Sequence, residues 1–257
     1  MKIERIYFKN LSKEIIDESF FDAFILDEDN EFNISKRKGF VVIPGGGYAF
    51  ISYRESEPVA SYLNARGYNA FVLHYSCEKP YPIPHKELAL MIDYINKHRE
   101  DFNLSDDELG FVGFSAGAHL LASFSYLSEE FGDSLKPQKI ALAYPVISMN
   151  IQTKSFTAKR ITNNFDAELV RKLSVEQNIT KKFPKTYVFS SKSDKLVPIE
   201  HSMVFAKSLK ENNVDFKHVV YEKVDHGISI ANRSTCLNNE NFFEARNWFE
   251  EMLDYLS

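Results

Sequence analysis

Five residues near the middle of the chain, Gly113-Phe114-Ser115-Ala116-Gly117, place a serine between two spaced glycines. In this spacing a serine lies in a tight turn between a strand and a helix, with its hydroxyl exposed and the helix N-terminus directed at it. The same pattern also occurs as a purely structural turn. Here, however, the apolar run Leu109 to Val112 precedes it and the helix-like run Ala118 to Ala122 follows it. We therefore predict that Ser115 is a nucleophile that accepts an acyl group.

A run of three glycines lies earlier in the chain, in Pro44-Gly45-Gly46-Gly47-Tyr48. Glycines let backbone N–H groups approach a ligand because no side chain stands in the way. We predict that the N–H groups of Gly46, Gly47 and Ala116 hold the oxyanion of a tetrahedral intermediate, although the register could differ by one residue. A phosphate loop is excluded because no Gly-Lys-Ser/Thr follows, and the dinucleotide pattern Gly-x-Gly-x-x-Gly is not matched.

A serine nucleophile needs a base, and the chain has seven histidines. His226 lies in Val224-Asp225-His226-Gly227, directly beyond the last β-rich run of the chain. Hydrolases with a serine in this type of turn carry their residues in the order Ser, Asp or Glu, His. We therefore predict that His226 is the base, with His201 as the alternative. His119 follows Ser115 closely, and we expect it to pack or hydrogen-bond beneath the turn.

The base in turn needs an acid that orients it. Asp194 lies in a polar loop that directly follows the β-rich run Thr186 to Ser190. We predict that Asp194 accepts a hydrogen bond from one imidazole nitrogen, which leaves the other nitrogen free to take the serine proton. Asp225 and Asp166 are the alternatives. Asp225 is adjacent to the histidine, where neighbouring side chains on an extended loop usually diverge.

The elements that must position these residues alternate between short apolar β-rich runs and longer helical stretches. This order predicts an α/β fold with a mostly parallel sheet and helices on both faces. Ligands bind at the carboxyl ends of the strands in such sheets. The predicted strands are Phe40–Ile43, Ala70–Leu73, Leu109–Phe114, Lys139–Ala143, Thr186–Ser190 and Phe216–Tyr221, and the predicted helices are Glu57–Arg66, Pro84–His98, Ala116–Leu127, Glu200–Asn212 and Phe242–Leu256.

One segment, Ser148 to Lys182, interrupts the alternation. It is polar, contains no clear strand, and is longer than an ordinary connection between elements. We interpret it as a small, partly helical cap inserted over the site, and the alternative is a surface excursion without a role. No linker divides the chain, so residues 1–257 are expected to form a single domain.

Composition limits the classes of partner. The net charge is −5 without a basic stripe, which argues against nucleic acid, and no apolar run is long enough to cross a bilayer. The N-terminal residues 1–6 lack the apolar core of a signal peptide, so we expect a cytoplasmic protein. Cys77 and Cys236 are too few for a disulfide framework or a cysteine-only zinc site. We expect no metal and no cofactor, and the sequence leaves a homo-oligomer open.

These motifs together resemble bacterial carbohydrate-esterase-like α/β-hydrolases, a group that includes acetyl esterases and acetylxylan esterases. The resemblance runs from about Phe40 to about Ala231. It implies an α/β-hydrolase fold, a triad of Ser115, Asp194 and His226, and a small-molecule ester substrate with a short acyl group, acetyl foremost. The motifs that carry it are Pro44-Gly45-Gly46-Gly47-Tyr48, Arg54-Glu55-x-Glu57-Pro58-Val59-Ala60, Gly113-Phe114-Ser115-Ala116-Gly117-x-His119-Leu120, Tyr144-Pro145-Val146-Ile147, Asp194-x-x-Val197-Pro198 and His226-Gly227.

The chain departs from related lipases and esterases at a few positions. Pro44 stands where those proteins place a histidine before the glycine run, and Ala118 stands where a second glycine is expected. The segment Ser148 to Lys182 matches least. Two interpretations of the charged residues Arg54, Glu55 and Glu57 stay open: they contact a polar substrate or hold the glycine loop, or they cap a helix and face solvent.

The predicted function is hydrolysis of short-chain acyl esters, with acetyl esters foremost and carbohydrate esters among the candidates, through an acyl-enzyme on Ser115. Two alternatives remain. An amidase or formamidase would use the same three residues. A binding protein on a hydrolase fold would usually lack one of them, whereas Ser115, Asp194 and His226 are all present here.

Overall fold

The computed structural model describes residues 1–15, 17–27, 36–132, 134–151, 155–238 and 240–257. Strands and helices alternate along most of this part of the chain. The strands are β1 (Lys2–Tyr7), β2 (Phe20–Ile25), β3 (Gly39–Ile43), β4 (Asn69–His74), β5 (Gly110–Phe114), β6 (Lys139–Ala143), β7 (Lys185–Ser191) and β8 (Phe216–Tyr221). The helices are α1 (Glu57–Asn64), α2 (Ile83–Lys97), α3 (Ala116–Leu127), α4 (Phe156–Ile161), α5 (Ala167–Leu173), α6 (Glu200–Glu211) and α7 (Trp248–Leu256).

Among the described residues, all eight strands form one sheet in the order β1-β2-β4-β3-β5-β6-β7-β8. From β4 to β8 the neighbouring strands are parallel, as their apolar composition predicts. The predicted mostly parallel sheet is therefore confirmed. Each of the six strands predicted from the sequence is present, and their ends differ by at most a residue or two.

Two strands at one edge of the sheet were not predicted. β1 pairs with β2, and β2 pairs with β4, both in antiparallel orientation. The segment Lys2–Tyr7 mixes charged and apolar residues, so it lacks the continuous apolar pattern of a buried parallel strand. This mixture fits its place at the edge of the sheet, where Ile3 and its neighbours face solvent. The polar residue inside β2, Asp22, accepts two hydrogen bonds from the Arg5 guanidinium on β1, at 2.8 and 2.9 Å, and this ion pair ties the two strands together.

Helices cover both faces of the sheet. On one face the core contains apolar side chains of α2, α3 and α6, and on the other it contains those of α1 and α7. Successive strand residues alternate between the two cores: Val41 and Ile43 of β3 point to the first, and Phe40 and Val42 to the second. This alternation explains why the interior positions of the central strands are apolar one after another.

The helix predicted over Phe242–Leu256 was wrong in its first half. A separate 3-10 turn forms at Phe243–Ala245, and α7 begins only at Trp248. The indole N–H of Trp248 donates to the Ser229 carbonyl oxygen at 2.9 Å, so the start of the helix is anchored to the loop that follows His226.

The segment predicted as a cap contains two short helices, α4 and α5, and a 3-10 turn at Val175–Gln177. Residues 152–154 of that segment lie outside the described residues. The two helices begin with side-chain caps from Ser155 and Asp166. The segment is therefore partly helical, as predicted.

Candidate active site

Ser115 lies in the turn between β5 and α3, with φ 51° and ψ −115°. Such a positive φ is uncommon outside glycine. The flanking glycines make the turn possible. A β-carbon on Gly117 would come within 2.3 Å of the Ile43 and Pro44 carbonyl oxygens, and one on Gly113 within 2.7 Å of the Ala118 α-carbon. Hence both glycines are required by close backbone contacts, as the sequence pattern predicts.

A chain of two hydrogen bonds joins Ser115, His226 and Asp194. His226 Nε2 lies 2.9 Å from Ser115 Oγ, and His226 Nδ1 lies 2.6 Å from Asp194 Oδ2. Because an ionised carboxylate only accepts, Nδ1–H donates to Asp194, and Nε2 is left to accept the serine proton. The structure thus brings together the three residues that the sequence predicted, although they lie on three different loops.

Asp194 is held by its own loop. Its second oxygen, Oδ1, accepts the N–H groups of Leu196 and Val197, both at 2.9 Å. The alternative acids are engaged elsewhere. Asp225 accepts the Asn241 N–H at 2.8 Å, and Asp166 caps the N-terminus of α5. Only Asp194 among these three carboxylates contacts His226.

The other histidines near Ser115 have different partners. His201, the alternative base, accepts the Ile147 and Ser148 N–H groups at Nδ1, at 3.0 and 3.2 Å. Burial lowers its pKa to about 4, so the ring is neutral at neutral pH. His201 lines the same cavity as Ser115, but its described hydrogen bonds tie α6 to the loop after β6 rather than to the serine.

His119 lies beneath the turn, as predicted. Its Nε2–H donates to the Leu173 carbonyl oxygen at 2.8 Å, and its Nδ1 accepts the Tyr48 O–H at 2.8 Å. The ring is fully buried, and this burial lowers its pKa to about 4. His119 therefore connects three parts of the chain: the glycine loop, α3 and the end of α5.

The glycine loop passes directly beside the serine. A β-carbon on Gly45 would come within 2.9 Å of the Ser115 β-carbon, and Gly46 and Gly47 have positive φ values of 123° and 62°. The Gly45 N–H donates to Glu55 Oε2 at 2.8 Å and is therefore occupied. Within the described part of the chain, the N–H groups of Gly46 and Gly47 have no acceptor, and both residues line the cavity with Ser115.

Ala116 is the third predicted donor. As the first residue of α3 it has an N–H group without an acceptor inside the helix, and it directly follows Ser115. The helix dipole adds partial positive charge at this end. Because the Gly45 N–H is already engaged, the N–H groups left without an acceptor beside Ser115 are consistent with the predicted donors Gly46, Gly47 and Ala116.

The charged residues after the glycine loop have separate roles in the structure. Glu55 is buried and holds the loop, which is one of the two interpretations that the sequence left open. Arg54 donates two hydrogen bonds to Glu240, at 2.8 and 3.0 Å. Glu57 is exposed and accepts the Tyr53 O–H at 2.7 Å. Only the exposed Glu57 fits the solvent-facing interpretation.

The cavity above Ser115 has a volume of about 850 Å³. Its rim carries four large apolar side chains that are between 62% and 72% exposed: Phe50, Tyr53, Phe156 and Leu196. Phe156 begins α4, so the segment predicted as a cap forms one wall of the cavity. The sequence did not single out these four residues, because single apolar side chains outside long helices and strands give no periodic signal.

Two further properties concern metals and membranes. In the residues that the structure describes, no group of three or more His, Cys, Asp or Glu side chains could hold a metal ion. Over the same ranges, no helix has both the length and the apolar composition that crossing a membrane requires.

Comparison with known proteins shows which family has this architecture. The family model described as an alpha/beta hydrolase fold matches residues 40–230. The chain is also similar to endo-1,4-beta-xylanase B of Butyrivibrio fibrisolvens, with 31% identity over 77% of this chain, and to an acetylxylan esterase of Xylanibacter ruminicola, with 26% identity over 76% of this chain. It spans only 33% and 42% of the length of these two relatives.

A solved structure agrees with these matches over nearly the whole chain. The acetyl ester-xyloside bifunctional hydrolase of Caldicellulosiruptor lactoaceticus has a TM-score of 0.78 and 28% identity, and the match covers 96% of this chain and 92% of that protein. The family model covers most of the sheet and every predicted site residue. The chain therefore belongs to the alpha/beta hydrolase fold family.

Proposed function

We propose that the protein is a serine esterase that hydrolyses short-chain acyl esters, with acetyl esters of carbohydrates as the leading substrates. The observation that carries the proposal is the position of His226, which lies within hydrogen-bond distance of both Ser115 Oγ and Asp194 Oδ2. A nucleophile, a base and an orienting acid in this relation are the parts that acyl transfer to a serine needs. The similarity to an acetylxylan esterase and to an acetyl ester-xyloside hydrolase supports the choice of substrate.

The reaction would proceed in two halves. Ser115 Oγ attacks the ester carbonyl carbon while His226 Nε2 takes the serine proton, and the N–H groups of Gly46, Gly47 and Ala116 stabilise the oxyanion. The intermediate then collapses, and the leaving alcohol takes the proton from Nε2. In the second half, water attacks the acyl-enzyme, His226 takes its proton and returns a proton to Ser115, and the carboxylic acid leaves.

The size of the cavity favours a bulky alcohol. A volume of about 850 Å³ lies in the range of sites that hold drug-sized ligands, whereas an acetyl group fills only a small part of it. The exposed rings of Phe50, Tyr53 and Phe156 offer flat apolar faces of the kind on which a sugar ring can stack. The remaining space is therefore assigned to the alcohol part of the ester.

The charges in the cavity favour a neutral substrate. Arg54 is paired with Glu240, and Arg160 is paired with Glu78 at 2.6 Å. Because each guanidinium already has a carboxylate partner, neither offers an uncompensated positive charge to an anion. Paired charges of this kind still donate and accept hydrogen bonds, which suits the hydroxyl groups of a carbohydrate.

The proposal is tested by Ser115→Ala with p-nitrophenyl acetate. We expect kcat to fall by about 10⁶-fold, to the residual rate that binding and the oxyanion donors support. Undiminished turnover of the variant would overturn the proposal. A second panel compares acetylated xylo-oligosaccharides with N-formyl amides on the wild-type protein, and preferential cleavage of the amides would favour the amidase alternative.

A further inference from the structure

The carboxylate of Glu55 joins two loops of the site. Its side chain is only 2% exposed. Oε2 accepts the Gly45 N–H at 2.8 Å, and Oε1 accepts the Tyr144 O–H at 2.7 Å. Both oxygens of this buried carboxylate are thus occupied, one by the glycine loop and the other by the loop after β6.

Tyr144 continues this connection to the base. Its backbone has φ 38°, a conformation that an aromatic residue rarely adopts, and its ring lies 4.7 Å from the His226 ring at an angle of 60°. Its hydroxyl accepts the Ser229 N–H at 3.0 Å, in the loop that carries His226. Tyr144 therefore contacts the base through its ring and holds the loop of the base through its hydroxyl.

These hydrogen bonds form a closed ring. Ser229 Oγ donates to the carbonyl oxygen of Arg54, the residue before Glu55, at 2.5 Å. The hydrogen bonds thus run from Gly45 through Glu55, Tyr144 and Ser229 back to the backbone beside Glu55. A closed set of hydrogen bonds fixes the positions of its members more strongly than separate pairs do.

We propose that Glu55 is a positioning residue, which holds the oxyanion donors and the His226 imidazole in one fixed arrangement around Ser115. This inference rests on the proposed esterase function. Gly46 and Gly47 follow Gly45 directly, and a run of glycines has more backbone freedom than any other sequence. An anchor at Gly45 therefore limits the movement of the donors, and the rate of acyl transfer depends on donor positions to within a fraction of an ångström.

A carboxylate suits this position better than an amide does. Glu55 supplies two acceptors, and both of its partners donate. The amide of a glutamine supplies one acceptor and one donor. If its oxygen keeps the Gly45 N–H, its NH₂ group faces the Tyr144 hydroxyl, whose own proton then has no acceptor at Glu55. Glu55→Gln consequently breaks the connection while it keeps the size of the side chain.

The experiment compares Glu55→Gln, Tyr144→Phe and the double variant on p-nitrophenyl acetate. We expect each single variant to lose about 10- to 100-fold in kcat with KM within about threefold of wild type, because misplaced donors and base slow the chemical step. The double variant should lose little more than the more damaging single variant, since both changes break the same connection. Glu87→Gln is the matched control: Glu87 is also a buried carboxylate, hydrogen-bonded to Ser19 and Ser76, and this variant should keep kcat within about twofold.

Several results would overturn the inference: wild-type kcat in Glu55→Gln, a KM effect without a kcat effect, or losses that multiply in the double variant. Ser115→Ala is measured in parallel, because undiminished turnover in that variant contradicts the proposed esterase function itself. In that case the positioning role of Glu55 is judged by a second measurement that does not depend on activity. That measurement is amide hydrogen exchange in the wild type and Tyr144→Phe. Faster exchange in both residues 44–50 and 224–230 of the variant supports the inference, and unchanged exchange in the glycine loop overturns it.

Discussion

Asp194 holds His226 through a 2.6 Å hydrogen bond from Nδ1–H to Oδ2, while its other oxygen accepts two backbone N–H groups of its own loop. The two backbone bonds fix the carboxylate plane, and so Oδ2 points at the imidazole without freedom to rotate away. The side chain is only 3% exposed, so water does not compete for this contact. The orientation of the base thus depends on three bonds to one carboxylate.

Asp194→Asn tests this dependence. The asparagine can present its NH₂ group to Nδ1, which favours the tautomer with the proton on Nε2, where it cannot accept the serine proton. We expect kcat for p-nitrophenyl acetate to fall by about 10⁴-fold with the fold intact. Asp225→Asn is the matched control, because Asp225 bonds Asn241 instead. A variant at Asp194 that kept a tenth of the wild-type kcat would show that another acid orients His226.

Two neighbouring glycines provide a contrast within the glycine loop. A β-carbon on Gly46 would come within 1.9 Å of the Phe50 carbonyl oxygen at φ 123°, whereas one on Gly47 would meet only the Thr157 hydroxyl, at 3.3 Å and φ 62°. Gly46→Ala should therefore distort the loop and lower kcat by at least about 100-fold, the effect of losing one oxyanion donor. Gly47→Ala should cost only about 1 kcal/mol of stability and keep kcat within about tenfold.

Steady-state kinetics and thermal unfolding of the two variants check this contrast. Equal losses of kcat in Gly46→Ala and Gly47→Ala would contradict it, because the structure gives the two added methyl groups very different surroundings. The wild-type protein serves as the reference for both measurements.

The residues that meet at the site were predictable because each follows a strand. Continuous apolar runs identify buried parallel strands, and in a parallel sheet their carboxyl ends lie at one edge. The loops after β5, β7 and β8 carry Ser115, Asp194 and His226. The order of these residues along the chain then restricted which histidine and which acid could pair.

Other features depend on contacts that local patterns do not encode. Glu55 and Glu57 look alike in the sequence, yet one is buried and the other exposed, because Glu55 meets Tyr144, which is 89 residues away along the chain. The strand β2 contains Asp22, whose charge interrupts the apolar pattern and is balanced by Arg5 on the neighbouring strand. In both cases the partner on another element decides the structure.

The rim of the cavity yields a prediction about substrates. Phe156 is 72% exposed at the cavity mouth, so Phe156→Ala removes a stacking face without disturbing the core. We expect KM for acetylated xylo-oligosaccharides to rise about three- to tenfold, as expected for a loss of about 1 kcal/mol, while KM for p-nitrophenyl acetate changes less. Phe243→Ala, an exposed phenylalanine outside the cavity, should change neither value. Equal effects of both variants would argue against a sugar-binding rim.

Two buried histidines predict how stability depends on pH. His119 and His201 each have a pKa lowered to about 4 by burial, below the value of about 6.5 that histidine has in an unfolded chain. Between these values the unfolded chain binds protons that the folded protein does not. Stability is therefore complete above pH 6.5 and declines as the pH falls toward 4, by up to roughly 3 kcal/mol for each histidine.

His119→Gln isolates one of these contributions. The variant should be less stable than the wild type at pH 7.5, because the Tyr48 hydroxyl or the Leu173 carbonyl loses its partner, with a cost of about 1–3 kcal/mol. The difference in unfolding free energy between the two proteins should shrink as the pH is lowered to 5. Only the wild type contains the buried, neutral His119, whose protonation in the unfolded chain lowers stability at acidic pH. Urea unfolding at both pH values measures this difference directly. A difference that stayed constant or grew toward pH 5 would contradict a neutral, buried His119.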